Sequence, residues 1–274
     1  MSVSEMQACL ARIYVDDAFR KLFFMDNTYA KERYGLSDLE LNSLRGLNVS
    51  RLEIFAASLR NKRKEQMNRG YPALFKVNPS SMETYFYRYT QLVHVNPSLP
   101  VASDLIDFGL FIEETLRASE GLPDYMLALA RFERLCIWAN QTSIRGPHPR
   151  IVQALKSGGT ETLKASMSIG LSESTQVASF PYNVLGIEES LRLGVHVNPE
   201  ETPQYIAFKC NDRLSGSKVV RLAEPTWKLI LLCDGSRDYR ELLRAAERLF
   251  DSPSIEGLVL GALLNLSSSG MITA

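Results

Sequence analysis

Residues 219–235, VVRLAEPTWKLILLCDG, contain a change from strand to helix that decides the fold of the last part of the chain. The run ending at Leu222 is rich in β-branched and apolar residues, which favours a strand. Pro225 then stands in a first helical turn, where its fixed φ suits a helix. Cys233-Asp234-Gly235 follows an apolar run and is expected to close this helix. This stretch therefore predicts a strand that leads directly into a short helix.

The segments on either side of this stretch complete a small module at residues 195–274. We predict two earlier strands at residues 195–197 and 205–210, with a turn before the third strand at 218–222. Two further helices follow, and we expect Asp238 and Ser254 to cap their first turns. Three strands followed by three helices is a winged-helix-like arrangement.

The preceding residues divide into a helical domain and a connector. Residues 1–142 carry apolar residues at helical spacing, and Ser37, Ser50 and Ser80 each precede a Glu by three residues, the pattern of a capping box. A stretch rich in Pro, Gly and basic residues follows, and we place the domain boundary there. The connector at 143–194 should contain a short strand (175–180) and a helix (184–193). The predicted fold class is thus α+β, with an N-terminal helical domain.

The composition is that of an ordinary globular protein with no bulk charge. Apolar residues make up 45% and charged residues 23% of the 274 residues, and 31 basic residues balance 31 acidic ones. A formal charge of zero provides no general attraction to nucleic acid or to an anionic membrane. The sequence contains neither a signal-peptide pattern nor an apolar run long enough to span a membrane, so we expect a cytoplasmic protein.

Residues with catalytic or metal-binding chemistry do not form a recognisable motif. His94, His148 and His196 share no metal-ligand spacing. The four cysteines include no CxxC pair, and three of them lie within apolar patterns. We therefore expect no catalytic residues and no metal or cofactor in this chain. An enzyme with a site assembled from residues distant in sequence stays as an alternative.

The third helix of the module favours a peptide over DNA as the ligand. Residues 254–269 contain neither Lys nor Arg, whereas a DNA reader needs cations for the phosphates. The helix is apolar around most of its surface, so we expect a peptide to add to the third strand and pack against this helix. Lys218 and Arg221 would suit an acidic peptide, and proline at Val220 should weaken binding if its N–H faces the peptide. A winged-helix DNA-binding transcriptional regulator remains the alternative. The predicted peptide-binding residues are Lys218, Val219, Val220, Arg221, Leu222, Ile255, Leu258, Val259 and Ala262.

One basic run in the helical domain is a candidate for a protein interface. It includes Arg60, Arg63 and Lys64, near the end of a predicted helix. Cations at the end of a helix are also favoured by the helix dipole alone. We predict partner binding by these three residues and keep the solvated helix end as the other interpretation.

The last segment resembles the PqqD-like peptide-recognition element of ribosomal-peptide biosynthesis. The matching residues are 219–227, the helix end at 231–235 and the closing Ser-Gly-Met-Ile at 269–272. Members of that family read Asn-Glu-Thr where this chain has Ala223-Glu224-Pro225. The resemblance implies a winged-helix-like module that binds a precursor peptide.

The helical part is similar to the partner subunits of multinuclear non-heme iron-dependent oxidases. The segments that carry this resemblance are residues 55–63, 122–133 and 177–184. It is nearer to the partner proteins of 3-thiaglutamate biosynthesis than to those of methanobactin biosynthesis.

The two resemblances together imply a required, non-catalytic partner protein. The enzyme would be an iron-containing TIM-barrel oxidase, in a heterodimer with this chain, that acts on a cysteine of a precursor or carrier peptide. Excision of the cysteine β-carbon is the reaction implied by the 3-thiaglutamate resemblance. The iron would belong to the enzyme, while the helical domain docks the enzyme and the module holds the peptide.

Overall fold

The structure is a computed structural model that describes residues 3–93, 99–140, 168–197, 199–212 and 216–273. It divides into two compact units, Met1–Leu122 and Pro123–Ala274. The second unit combines helices with a small antiparallel sheet, so the predicted α+β class is confirmed at this coarse level. Within the described residues, no helix is both long and apolar enough to cross a membrane.

The described part of the first unit is helical. Its helices are α1 (Val3–Val15), α2 (Asp17–Met25), α3 (Thr28–Tyr34), α4 (Asp38–Arg45), α5 (Val49–Gly70), α6 (Pro72–Val77), α7 (Pro79–Leu92) and α8 (Val101–Arg117). One core cluster joins α1 to α4, with Cys9 and Ile13 fully buried on the inner face of α1. Edge-to-face aromatic contacts around Phe108 of α8 involve α7 and Tyr71, the residue between α5 and α6. The rings of Phe108 and Tyr89 lie 5.2 Å apart.

Only one of the three predicted capping boxes in this unit forms. Ser37 accepts the N–H of Glu40, and the Glu40 carboxylate accepts the N–H of Ser37. The boxes predicted at Ser50 and Ser80 are wrong because an asparagine two residues earlier takes the position. Asn48 accepts the N–H of the residue three positions on at 3.0 Å, and Asn78 does the same at 3.1 Å.

The described part of the second unit begins with a helix and contains two small sheets. Its described helices are α9 (Tyr125–Ala139), α10 (Val184–Leu193), α11 (Glu224–Ile230), α12 (Tyr239–Phe250) and α13 (Glu256–Ser268). Its strands are β1 (Gly170–Leu171), β2 (Thr175–Phe180), β3 (Gln204–Asp212), β4 (Gly216–Leu222) and β5 (Ile272–Thr273). Strand β1 pairs with β5, and the main sheet has the antiparallel order β2-β3-β4.

Helices cover both faces of the main sheet. On one face, Phe180, Ile206 and Phe208 pack with α9 and with the start of α10. On the other face, Ala207 and Leu222 join a larger core with α11, α12 and α13. Because side chains alternate along a strand, burial on both faces explains why β3 lacks the polar alternation of a half-exposed strand.

Two predictions about this region differ from the structure. The strand expected at residues 195–197 is wrong, since these residues lie in irregular structure. The first strand of the sheet is instead β2, whose bounds match the strand predicted within the connector. Helix α9 belongs to the same unit because its apolar residues, including Phe132, cover the sheet. The division therefore falls after Leu122 rather than after residue 142.

The remaining predictions for this unit concern helix starts and the connector. Asp238 caps α12 in a capping box with Glu241, as predicted. Ser254 does not cap α13, because that helix begins at Glu256 with Ile255 in the cap position and no side-chain cap bond. Residues 141–167, which include the whole boundary stretch predicted at 143–159, lie outside the described residues.

Candidate functional site

Strand β4 forms an edge of the main sheet. It pairs with β3 on one side, and no other described strand pairs with it. The side chains of Lys218, Val219 and Arg221 are exposed, with Val219 at 42%. The other edge strand, β2, has only one exposed residue, Ser179. Of the two edges, β4 therefore presents the more accessible surface.

The hydrogen bonds of β3 show which backbone groups face each neighbour. In an antiparallel pair, facing residues alternate between pairs that exchange backbone hydrogen bonds and pairs that do not. The N–H of Cys210 donates to the carbonyl of Ser174 at 2.8 Å, so Cys210 directs its backbone groups toward β2. By alternation, Ala207 and Lys209 direct theirs toward β4.

The backbone groups that remain for a ligand on β4 are those of Val219 and Arg221. Val220 faces Ala207 in the register, so its N–H and C=O are directed into the sheet. The groups of its two neighbours therefore point to the open edge. This corrects the expectation for proline at Val220, which would break the β3–β4 ladder and leave the outward donors intact.

A buried cation lies beside the predicted peptide edge. Lys218 stands directly opposite Lys209, whose side chain is 3% exposed and donates to the carbonyl of Ser269 at 2.8 Å. The register therefore places two cations in directly opposed positions of the sheet. Sequence reasoning missed Lys209 because cross-strand partners depend on register.

The structure divides the other predicted peptide-binding residues between core and surface. Leu222, Ile255 and Val259 are core residues with at most 8% exposure, so their side chains hold the unit together. Ala262 is partly buried and packs on the same cluster, whereas Leu258 is 77% exposed. Of the residues predicted on α13, Leu258 offers the most surface to a ligand.

The three cations predicted to bind a partner form ion pairs within the first unit. Arg60 pairs with Asp17 at 2.9 Å, and Lys64 pairs with Glu83. Arg63 is 8% exposed and donates to both carboxylate oxygens of Asp104, at 2.6 and 2.9 Å. These contacts give Arg63 an internal role and leave little of it for a partner.

The same region contains a groove in the surface of the first unit. Its volume is about 960 Å³, and Arg60 and Arg63 contribute to its lining together with residues of α1, α2, α7 and α8. Its exposed apolar lining includes Val15, Tyr87 and Val101. A groove with this mixture of apolar and charged groups fits a protein surface, although no feature of it selects one ligand.

The four cysteines are unpaired, and their thiols are poor nucleophiles. Burial raises the pKa of Cys9 to about 11 and that of Cys233 to about 12. Burial also raises the pKa of Cys136 to about 12, with Glu133 and Glu188 adding to the effect, and it raises the pKa of Cys210. These thiols stay protonated near neutral pH, and only a thiolate reacts readily.

The described residues contain no group of three or more His, Cys, Asp or Glu that could hold a metal ion. His196 is exposed, and His94 and His148 lie outside the described residues. Comparison with known proteins adds no family, since neither a scan against family models nor a search of curated proteins found a match.

Proposed function

We propose that the chain is a non-catalytic partner protein that captures a peptide as an added strand on β4. The observation that carries this proposal is the edge position of β4, with the backbone groups of Val219 and Arg221 directed outward. Main-chain hydrogen bonds to such an edge provide affinity, while side chains beside it provide selectivity. In this proposal the second unit contains the winged-helix-like, PqqD-like element predicted at residues 195–274.

The charges near the edge favour an acidic peptide. Lys218 and Arg221 are both exposed, and Lys209 lies opposite Lys218 inside the sheet. A peptide carboxylate near Lys218 would meet its exposed ammonium group. Arg221 is exposed at the same edge strand, so a second carboxylate of the peptide would meet its guanidinium there.

The captured peptide would be a ribosomally made precursor or carrier peptide, presented to a separate enzyme. We propose that this enzyme is an iron-dependent TIM-barrel oxidase that modifies a cysteine of the peptide, as in 3-thiaglutamate biosynthesis. The support for this step is the resemblance of residues 55–63, 122–133 and 177–184 to the partner subunits of such oxidases. Tethering the peptide would raise the concentration of its cysteine at the enzyme.

The test compares proline substitutions on the two edges of the sheet. Val219→Pro removes an outward donor from β4, and Ser179→Pro is the matched control because Ser179 also directs its N–H away from β3. Synthetic peptides from short reading frames beside the gene serve as labelled ligands. We expect micromolar binding that Val219→Pro weakens about tenfold or more, the loss of one or two net hydrogen bonds.

Three results would contradict the proposal. They are equal losses in both variants, failure of every neighbouring cysteine-containing peptide to bind, and failure of the chain to co-elute with a neighbouring iron oxidase. A salt-sensitive complex with duplex DNA would favour the transcriptional regulator instead.

A further inference from the structure

Helix α12 carries a ridge of three arginines along its exposed side. Arg240, Arg244 and Arg248 are spaced four residues apart, so they lie in one row opposite the buried Leu242 and Ala246. All three side chains are exposed. We call this row the arginine ridge.

The ridge is not neutralised by the described part of the chain. None of its three guanidinium groups forms an ion pair with a described carboxylate. The nearby carboxylate of Glu241 is directed to the start of the helix, where it accepts the N–H of Asp238 at 3.2 Å. The Nε of Arg248 donates to the carbonyl of Arg244 at 3.2 Å, a contact that leaves its charge uncompensated.

An uncompensated ridge destabilises the helix that carries it. Like charges four residues apart on a helix repel each other, and this ridge contains two such pairs. The adjacent turn shows the contrasting arrangement, since Arg237 pairs with Asp234 at 2.5 Å. A bound anionic surface would turn this unfavourable row into a favourable one.

We propose that the arginine ridge binds an acidic helix of a partner protein. Carboxylates spaced four residues apart on such a helix would match the row, since residues at this spacing lie about 5–6 Å apart.

Nucleic acid fits the ridge less well than an acidic helix does. Glu241 and Glu247 lie on the same helix as the arginines, and the whole chain has a formal charge of zero. A phosphate backbone is anionic throughout and could not pair with these carboxylates, whereas a partner helix can carry basic residues that do. This surface lies outside the proposed peptide site, and the proposal does not rest on peptide capture.

The test uses the full chain and a labelled helical peptide with glutamates at positions i, i+4 and i+8. A second peptide has the same composition with its three glutamates adjacent. The triple variant R240Q/R244Q/R248Q removes the ridge and keeps good helix formers, whereas R45Q/R51Q/R88Q removes three exposed cations of the first unit as the matched control.

We expect the ridge variant to bind the first peptide about tenfold more weakly, because it loses three exposed ion pairs to the peptide. The control variant should bind like the unmodified chain, and the second peptide should bind several-fold more weakly. Relief of repulsion should also raise the urea midpoint of the ridge variant. Equal binding by the ridge variant, equal binding of both peptides, or tighter ridge-dependent binding of duplex DNA would overturn the proposal.

Discussion

At the scale of single residues, Arg63 has a role inside the first unit rather than in binding a partner. Its guanidinium donates to both oxygens of Asp104 and to the carbonyl of Val93 at 3.0 Å, and it lies 4.8 Å from the ring centroid of Tyr89. The hydroxyl of Tyr89 also donates to Asp104 at 2.8 Å. The sequence shows Arg63 only as part of a basic run, because a pairing 41 residues apart is set by tertiary structure.

Removing the charge of Asp104 should destabilise the first unit strongly. Asp104→Asn leaves the buried guanidinium of Arg63 uncompensated, and breaking such a pair costs about 3 kcal/mol. Glu65→Gln is the control, since it breaks the exposed Arg69–Glu65 pair and should cost less than about 0.5 kcal/mol. Urea unfolding followed by far-ultraviolet circular dichroism measures both, and equal costs would contradict the assigned role of Arg63.

Asp234 should make the stability of the second unit depend on acidic pH. Hydrogen bonds from Ser236, with a further contribution from Arg237, lower the pKa of Asp234 from 3.8 to about 2. A lowered pKa in the folded state stabilises above the unfolded value and is lost as pH falls toward the folded value. The loss should therefore occur between about pH 4 and about pH 2.

The Asp234→Asn variant tests this pH dependence. Both tryptophans of the chain, Trp138 and Trp227, lie in the second unit, so their fluorescence reports its unfolding. Between about pH 4 and about pH 2, the urea midpoint of the variant should fall less than that of the unmodified chain. Parallel curves for the two proteins would show that Asp234 contributes nothing.

At the scale of elements, local sequence patterns predict the features that depend on neighbouring residues alone. The bounds of β2 and α10 match the predictions. The helix predicted to close at Cys233-Asp234-Gly235 instead ends at Ile230, and Gly235, with φ of 80°, lies beyond it. The cap residues of α5 and α7 are harder to predict, because Ser and Asn can both accept the free N–H groups of a first helical turn. In each of these helices the asparagine, two residues before the predicted serine, occupies the cap position. The strand expected at residues 195–197 is wrong because two valines around a histidine specify no pairing partner.

The caps of α12 and α13 provide a matched pair of variants. Asp238→Ala removes a side chain that accepts the N–H of Glu241 at 2.8 Å, which should cost about 1 kcal/mol. Ser254→Ala should leave stability unchanged, because α13 begins after Ile255 without a side-chain cap. Tryptophan fluorescence during urea unfolding measures the stability of both variants. A comparable loss of stability in Ser254→Ala would show that Ser254 does cap α13.

At the scale of the whole molecule, the division of the chain follows burial rather than composition. Helix α9 reads as one more helix of the N-terminal domain, since its apolar spacing resembles that of its predecessors. In the structure its Phe132 lies 5.9 Å from the ring of Phe208 on β3. Which element covers a sheet face is a long-range fact, so sequence periodicity could not assign it.

Fragments of the chain test this division. Residues 123–274 should fold alone, whereas residues 143–274 lack α9 and would expose the aromatic face around Phe180 and Phe208. We expect the longer fragment to show a cooperative unfolding transition and the shorter one to aggregate or bind a hydrophobic dye. A shorter fragment that is equally stable would contradict the role given to α9.

The orientation of the open edge is also a whole-molecule property. The sequence predicted a third strand and cations suited to a peptide, but the direction of each N–H required the register of β2, β3 and β4. Because of that register, the N–H groups that could bind a peptide are those of Val219 and Arg221 rather than that of Val220.

Amide hydrogen exchange at β4 tests the central claim most directly. In the free chain, the amides of Val219 and Arg221 should exchange fast, while that of Val220 is protected by its bond to β3. On adding a cysteine-containing peptide encoded beside the gene, Val219 and Arg221 should become protected and Ser179 on the opposite edge should not change. Protection that is absent at β4 or equal at both edges would contradict peptide capture by strand addition.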